Sequence, residues 1–158
     1  VSTGRKRGGI SMESGDMRVR VKKLFDYQRF AVLATQGGTS PYTSLMTFAV
    51  TEDLKHIILV TDQSTRKFEN LLKNPNVALL VDNRSNEEAD ITEAIAVTAL
   101  GTAKAEDKEA KENLLEIYQA KHPALEAFAR YPSQVLLDIT VTSYLVVSGF
   151  QDIYEFSP

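Results

Sequence analysis

The chain has 158 residues, 43 % of them apolar and 25 % charged, with a net charge of −3 and no cysteine. That length is enough to bury a core, and the acidic balance argues against general nucleic-acid binding, which calls for a basic surface. Lack of thiols excludes disulfides, thiolate metal sites and cysteine nucleophiles, and His56 and His122, the two histidines, are too few for a classical zinc site.

Residues 1–16, "VSTGRKRGGISMESGD", carry half of the glycines and a basic run, Arg5-Lys6-Arg7, without periodicity. They read as a flexible N-terminal arm; a nucleic-acid contact is the less favoured alternative. No apolar stretch follows the basic residues as a signal peptide requires, and no run approaches the roughly 20 apolar residues of a membrane span. A cytoplasmic protein that binds neither membrane nor nucleic acid is expected.

From Met17 a single domain is expected, over 17–158. Met17, Val21, Leu24 and Phe25 recur at helical spacing, with Arg18, Arg20, Lys22 and Lys23 off that face, which predicts a packing helix. "RFAVLAT" (29–35), "YTSLMTFAV" (42–50) and "HIILVT" (56–61) predict three strands joined by the turn-forming stretches "QGGTSP" and "TEDLK". A helix follows over 65–73, with Phe68, Leu71 and Leu72 as its core face. "NPNVALLVD" then gives a strand that is apolar at every position from Val77 to Val81, as if buried on both faces.

"NRSNEEAD" (83–90) reads as a polar loop. Its acids, Glu87, Glu88 and Asp90, lack the spacing of a calcium loop, and Asp82, Asn83 and Arg84 stand where a pocket edge could lie. The fifth strand, 93–105, contains Gly101, the mark of a bulge or a close backbone approach. "AEDKEAKENLLEIYQAKHP" has acids in its first turn, Lys121 and His122 in its last and Pro123 as a stop, so it predicts a helix. A short helix, "ALEAFARYP", follows. The last strand, 134–149, alternates Leu137, Ile139 and Val141 with Asp138, Thr140 and Thr142, the pattern of a half-buried strand. The connections are too short for parallel crossovers. The fold class is therefore mainly β with helices: a six-stranded antiparallel barrel with helices at its ends.

The chemistry concentrates in "VTDQSTRKFENLLKNP" (60–75). Arg66 and Lys67 stand where a helix begins, although cations are better placed at the other end. Open amides and a partial positive charge make a helix start favourable for an anion, usually phosphate. Ser64 and Thr65 can cap the helix and donate hydroxyls, Arg66 offers a fork of donors and Lys67 a point charge. A phosphate cradle is one reading; a capped helix with two solvated cations is the other. No GxGxxG, GxxxxGK[ST] or GxSxG motif is present. His56 and His122 read as structural.

The run of a strand ending in Val60-Thr61, a short loop, Thr65-Arg66-Lys67, a helix and Asn74-Pro75 before an apolar strand resembles the pyridoxamine 5′-phosphate oxidase-like FMN-binding split barrels. The resemblance spans roughly 28–149 and is strongest over 41–82. It implies that Arg66 and Lys67, with Thr65, hold the phosphate of FMN. It also implies that Ser44, Leu45, Met46 and Thr47 lie along the flavin and ribityl chain, and that Val60 and Thr61 flank it. A homodimer with flavin in clefts between subunits is implied as well. In the true oxidase an Arg stands at the position of Ser44, a Gln at that of Ala96, and a Trp and an Arg near the C-terminus complete the site. This chain has no Trp, and "GFQDIYEFSP" does not supply that Arg. The resemblance thus reaches the cofactor cradle and not vitamin B6 oxidation. The expected function is that of an FMN flavoprotein and oxidoreductase of unassigned substrate, with NADH or NADPH as an electron donor and no catalytic residue or metal assigned. The alternatives are a haem-binding or haem-degrading split barrel, and a non-enzymatic flavin or deazaflavin binder.

Overall fold

The computed structural model describes residues 5–6, 14–149 and 152–158. Its strands are β1 (Arg5–Lys6), β2 (Phe30–Thr35), β3 (Tyr42–Val50), β4 (His56–Asp62), β5 (Asn76–Asp82), β6 (Ile95–Glu106), β7 (Gln134–Ser148) and β8 (Asp152–Phe156). Its helices are α1 (Ser14–Tyr27), α2 (Arg66–Lys73), α3 (Asp90–Glu93), α4 (Glu112–Lys121) and α5 (Glu126–Arg130), with a 3₁₀ turn at Pro123–Leu125. All strands belong to one antiparallel sheet in the order β1-β8-β7-β4-β3-β2-β5-β6, and β6 pairs back onto β7. That pairing closes the expected six-stranded barrel from β2 to β7. The long β7 makes the split: its first half pairs with β4 and its second half with β8, while β6 runs along both.

Period-2 patterning sorts the side chains. Leu33, Phe48, Ile57, Leu59, Leu79, Val97, Leu137 and Ile139 fill the barrel, and the apolar face of α1 closes one end. Phe25 of that helix meets Phe48 and Tyr144 edge-on, with ring centroids 5.4 and 5.8 Å away, an arrangement that suits the ring quadrupoles. A second core lies outside the barrel, where Leu114, Leu115 and Tyr118 of α4 cover Ala49, Ile58, Val60 and Leu136. At Gly101 both expected features occur together. The β6–β7 register shifts there, and a Cβ on Gly101 would come within 2.5 Å of the Thr140 carbonyl oxygen.

Several expectations need correction. β5 is buried on one face only: Val77, Leu79 and Val81 point inward while Ala78 and Leu80 are half-covered. Leu72 is 70 % exposed, since the inward face of α2 is made by Asn70 and Leu71, with Phe68 packed beside them. Asp138 is buried rather than solvated, because it accepts a hydrogen bond from His56 Nδ1 at 2.8 Å. Within the 83–90 stretch, the Asp90 carboxylate accepts from the amides of Ser85, Asn86 and Glu87. That short turn starts α3, which the polar composition hid. Asp82 pairs with Arg84, and Asn83 accepts the Ile95 amide and so ties the loop to β6. β8 also went unread, its few residues being held by pairing with β7 and by burial of Tyr154 and Phe156. Of the 1–16 arm, Arg5–Lys6 pairs with β8 and 14–16 open α1; the rest lies outside the described residues. No helix among the described residues is long and apolar enough to cross a membrane.

Candidate functional site

The β4–α2 junction borders a cavity of about 420 Å³. Leu45, Met46 and Thr47 of β3 line it, with Val60, Thr61 and Asp62 at the end of β4, Thr65 and Lys67 at the start of α2, and Gln134 at the start of β7. Phe30, Leu125 and Phe128 complete an apolar wall. Of the nine residues expected at a cofactor site, seven line one cavity. Ser44 and Arg66 do not. Ser44 shares the inward face of β3 with Met46 and Phe48, and its buried hydroxyl has no partner among the described residues. Arg66 is exposed and lays its guanidinium over the Tyr42 ring, 4.8 Å from the centroid.

The start of α2 is open. Thr65 stands at the N-cap with extended backbone, but neither it nor Ser64 caps the helix amides as expected. Thr65 Oγ1 donates back to the Asp62 carbonyl at 2.8 Å, and Ser64 donates its amide and hydroxyl to Asp62 Oδ1 at 2.9 and 2.6 Å. The first-turn amides thus keep their partial positive charge toward the cavity. Lys67 lies half-buried among them. Desolvation pulls its pKa below the ordinary lysine value, and the charge of Asp62 opposes that shift without reversing it. No carboxylate forms an ion pair with Lys67 among the described residues.

Asp62 organises this corner. Its Oδ2 accepts from Ser133 Oγ at 2.5 Å and Gln134 Nε2 at 3.0 Å. The hydrogen bonds from Ser133, then from Ser64, hold its pKa down to about 2, so it is a fixed anion and purely an acceptor. Sequence reasoning missed Asp62, Gln134, Phe30, Leu125 and Phe128. Asp62 sat inside the highlighted stretch, but its partners are some 70 residues away and meet it only because Asp62 opposes Gln134 in the β4–β7 ladder. On the far wall, Thr47 shares a 2.7 Å hydrogen bond with the buried Tyr118, whose phenol burial pushes to a higher pKa.

Both histidines are engaged elsewhere. His122 is buried, and its Nε2 must donate to the Phe48 carbonyl 2.8 Å away. Burial depresses its pKa, which agrees with a neutral ring. His56 faces a separate cavity beside Asp138. No cluster of three or more metal-ligating side chains occurs among the described residues.

The family model for pyridoxamine 5′-phosphate oxidase matches residues 17–148. The chain belongs to that family. No curated protein matches it. Among solved structures, a haem-binding protein from Mycobacterium smegmatis superposes with TM-score 0.78 at 15 % identity, over 94 % of this chain and 60 % of that one. ChuZ of Campylobacter jejuni does so with TM-score 0.78 at 13 % identity, over 93 % and 61 %; this chain thus spans about three fifths of either protein. A Listeria innocua protein provisionally named a pyridoxamine 5′-phosphate oxidase gives TM-score 0.64 at 18 % identity, over 84 % and 99 %. Such identities establish a common fold. In this member of the family, the strand–loop–helix junction borders a cavity lined by Lys67, the Asp62 carboxylate, several polar side chains and an apolar wall.

Proposed function

We propose that this family member binds FMN and works as a homodimeric, cytoplasmic flavin-dependent oxidoreductase, with NADH or NADPH as electron donor. The observation that carries the reading is the polarity of the cavity. The uncapped helix start and the half-buried Lys67 border the same cavity as the apolar side chains of Phe30, Leu45, Leu125 and Phe128. That matches a molecule with a dianionic phosphate at one end and a flat apolar ring system at the other. Lys67 and the first-turn amides bind the phosphate, Arg66 adds charge from the rim, and Thr61 and Thr65 supply hydroxyls. Bound FMN would supply the redox chemistry; the chain's own residues orient it and shield one side of its ring.

A second copy of the chain supplies the remaining wall. Cross-strand register places Leu45 opposite Val32, Val32 opposite Leu80, Leu80 opposite Thr98 and Thr98 opposite Leu145, a row along the outer face of the sheet. Leu45 is 68 % exposed and belongs both to this face and to the cavity. An open apolar sheet face continuous with a ligand cleft fits burial against a partner.

Absorbance of the purified protein before and after adding FMN tests the reading. Flavin bands at about 375 and 450 nm that co-elute with protein through gel filtration support it. A protein that stays colourless and lets FMN pass refutes it. A haem reading draws on the fold shared with the M. smegmatis haem-binding protein. Against it, neither histidine lines the cavity and His122 Nε2 is committed to a carbonyl. A Soret band that survives replacement of each histidine would point to another ligand, and one that vanishes with His56 would revive this reading. A deazaflavin would use the same phosphate end, and tight flavin binding without turnover by NADH or NADPH would indicate a carrier.

A further inference from the structure

The Asp62–Gln134 contact has a chemical consequence for what the cavity accepts. Asp62 is ionised, so it can only accept hydrogen bonds. The 3.0 Å contact therefore fixes the amide of Gln134 with Nε2 toward Asp62 and Oε1 turned away from it. Gln134 is 7 % exposed and lines the cavity, yet Oε1 is buried without a partner among the described residues. An acceptor left unmet in a buried position is unfavourable, and this one is locked by its neighbour against flipping to present a donor. Oε1 has no solvent contact in this conformation, so a ligand hydroxyl meets it when the Gln134 side chain turns toward the cavity it lines. Next to it stands the carboxylate itself, whose oxygens already take four hydrogen bonds. This edge of the cavity is thus electronegative and short of donors, only a few residues from the cationic start of α2.

We infer that Gln134 is a specificity-determining residue: its Oε1 accepts a hydrogen bond from a hydroxyl on the chain that links a ligand's phosphate to its ring. Asp62, by orienting that amide, is the positioning residue. The inference rests on the FMN reading and deepens it. A ribityl chain brings hydroxyl donors next to the phosphate, whereas a ligand that brings carboxylates, as the propionates of haem do, would set acceptor against acceptor. The same cavity therefore favours a polyol phosphate over an acid-bearing macrocycle.

The test compares two ligands by fluorescence titration: FMN, and a phosphorylated flavin whose N10 chain carries hydrogen in place of the three hydroxyls. Wild-type protein, Gln134→Met and Asp62→Asn are titrated with each, and melting curves confirm that the variants fold. Gln134→Met keeps the volume and removes the acceptor. It is expected to weaken FMN about tenfold and to leave the deoxy analogue unchanged. Asp62→Asn frees the amide to flip and is expected to narrow the preference for FMN over the analogue. Equal losses for both ligands, or no loss for FMN, would overturn the role of Gln134 while the flavin site stands. A wild-type chain that binds neither flavin would overturn the FMN reading and this inference with it.

Discussion

Replacing Lys67 by Met should move two properties in opposite directions. In the protein without ligand, Lys67 holds a positive charge half out of water with no ion pair among the described residues, and desolvation outweighs the charge of Asp62. A base whose folded pKa lies below its unfolded value gives up stability while it is charged. That loss is present at neutral pH and disappears only as pH rises through the folded pKa toward the unfolded one. Removing the charge and keeping the stem should therefore raise the melting temperature of the ligand-free protein slightly at pH 7, and the gain should fade at alkaline pH. Phosphate binding should suffer. A charge-assisted hydrogen bond contributes about 1.5–3 kcal/mol, so FMN affinity should fall by about 10- to 150-fold. Arg66→Ala should matter less, because its guanidinium is exposed over Tyr42 and screened by solvent. The assay is FMN fluorescence titration at low and high salt, paired with thermal melts of the ligand-free variant. FMN affinity within twofold of wild type, or a lowered melting temperature, would refute the argument that Lys67 is a desolvated cation kept for an anion.

Other outcomes are expected from neighbouring parts of the structure. Because hydrogen bonds hold Asp62 at a pKa of about 2, below the ordinary aspartate value of about 3.9, its contribution to stability is full above the unfolded pKa and lost as pH falls through the folded one; the stability difference between wild type and Asp62→Asn should shrink between those values in acid melts. Leu80→Asp places a charge on the outer face of β5 and should shift the sedimentation coefficient of the proposed homodimer toward monomer without unfolding the barrel; a coefficient equal to that of wild type would refute this face as the interface. Gly101→Ala forces a Cβ to within 2.5 Å of the Thr140 carbonyl and should destabilise by about 1–3 kcal/mol in urea titrations.

Much of this architecture was legible because each signal is local. The strand from Tyr42 to Val50 matches its expected span, and α2 starts one residue later than expected, because alternation, turn residues and the Asn-Pro stop all act within a few positions. Leu72, Asp138 and β5 were misread for one reason. Whether an apolar residue is covered, or a polar one buried, depends on what packs over it. α2 is rotated so that Asn70 rather than Leu72 faces the barrel, where Asn70 donates to Thr35. Asp138 becomes tolerable in the core only because His56 arrives from another strand.

The candidate site divides along the same line. By itself the sequence determined the strand–loop–helix junction with two cations at its start, since helix polarity and the chemistry of Thr65, Arg66 and Lys67 are properties of adjacent residues. Tertiary structure alone decided how those residues are used. It turned Arg66 onto Tyr42, left Lys67 on the cavity, and set Asp62 against Ser133 and Gln134. Barrel closure brings β4 beside β7 across some 70 residues of chain, and an acceptor such as Gln134 Oε1 acquires its direction only from the carboxylate it then meets.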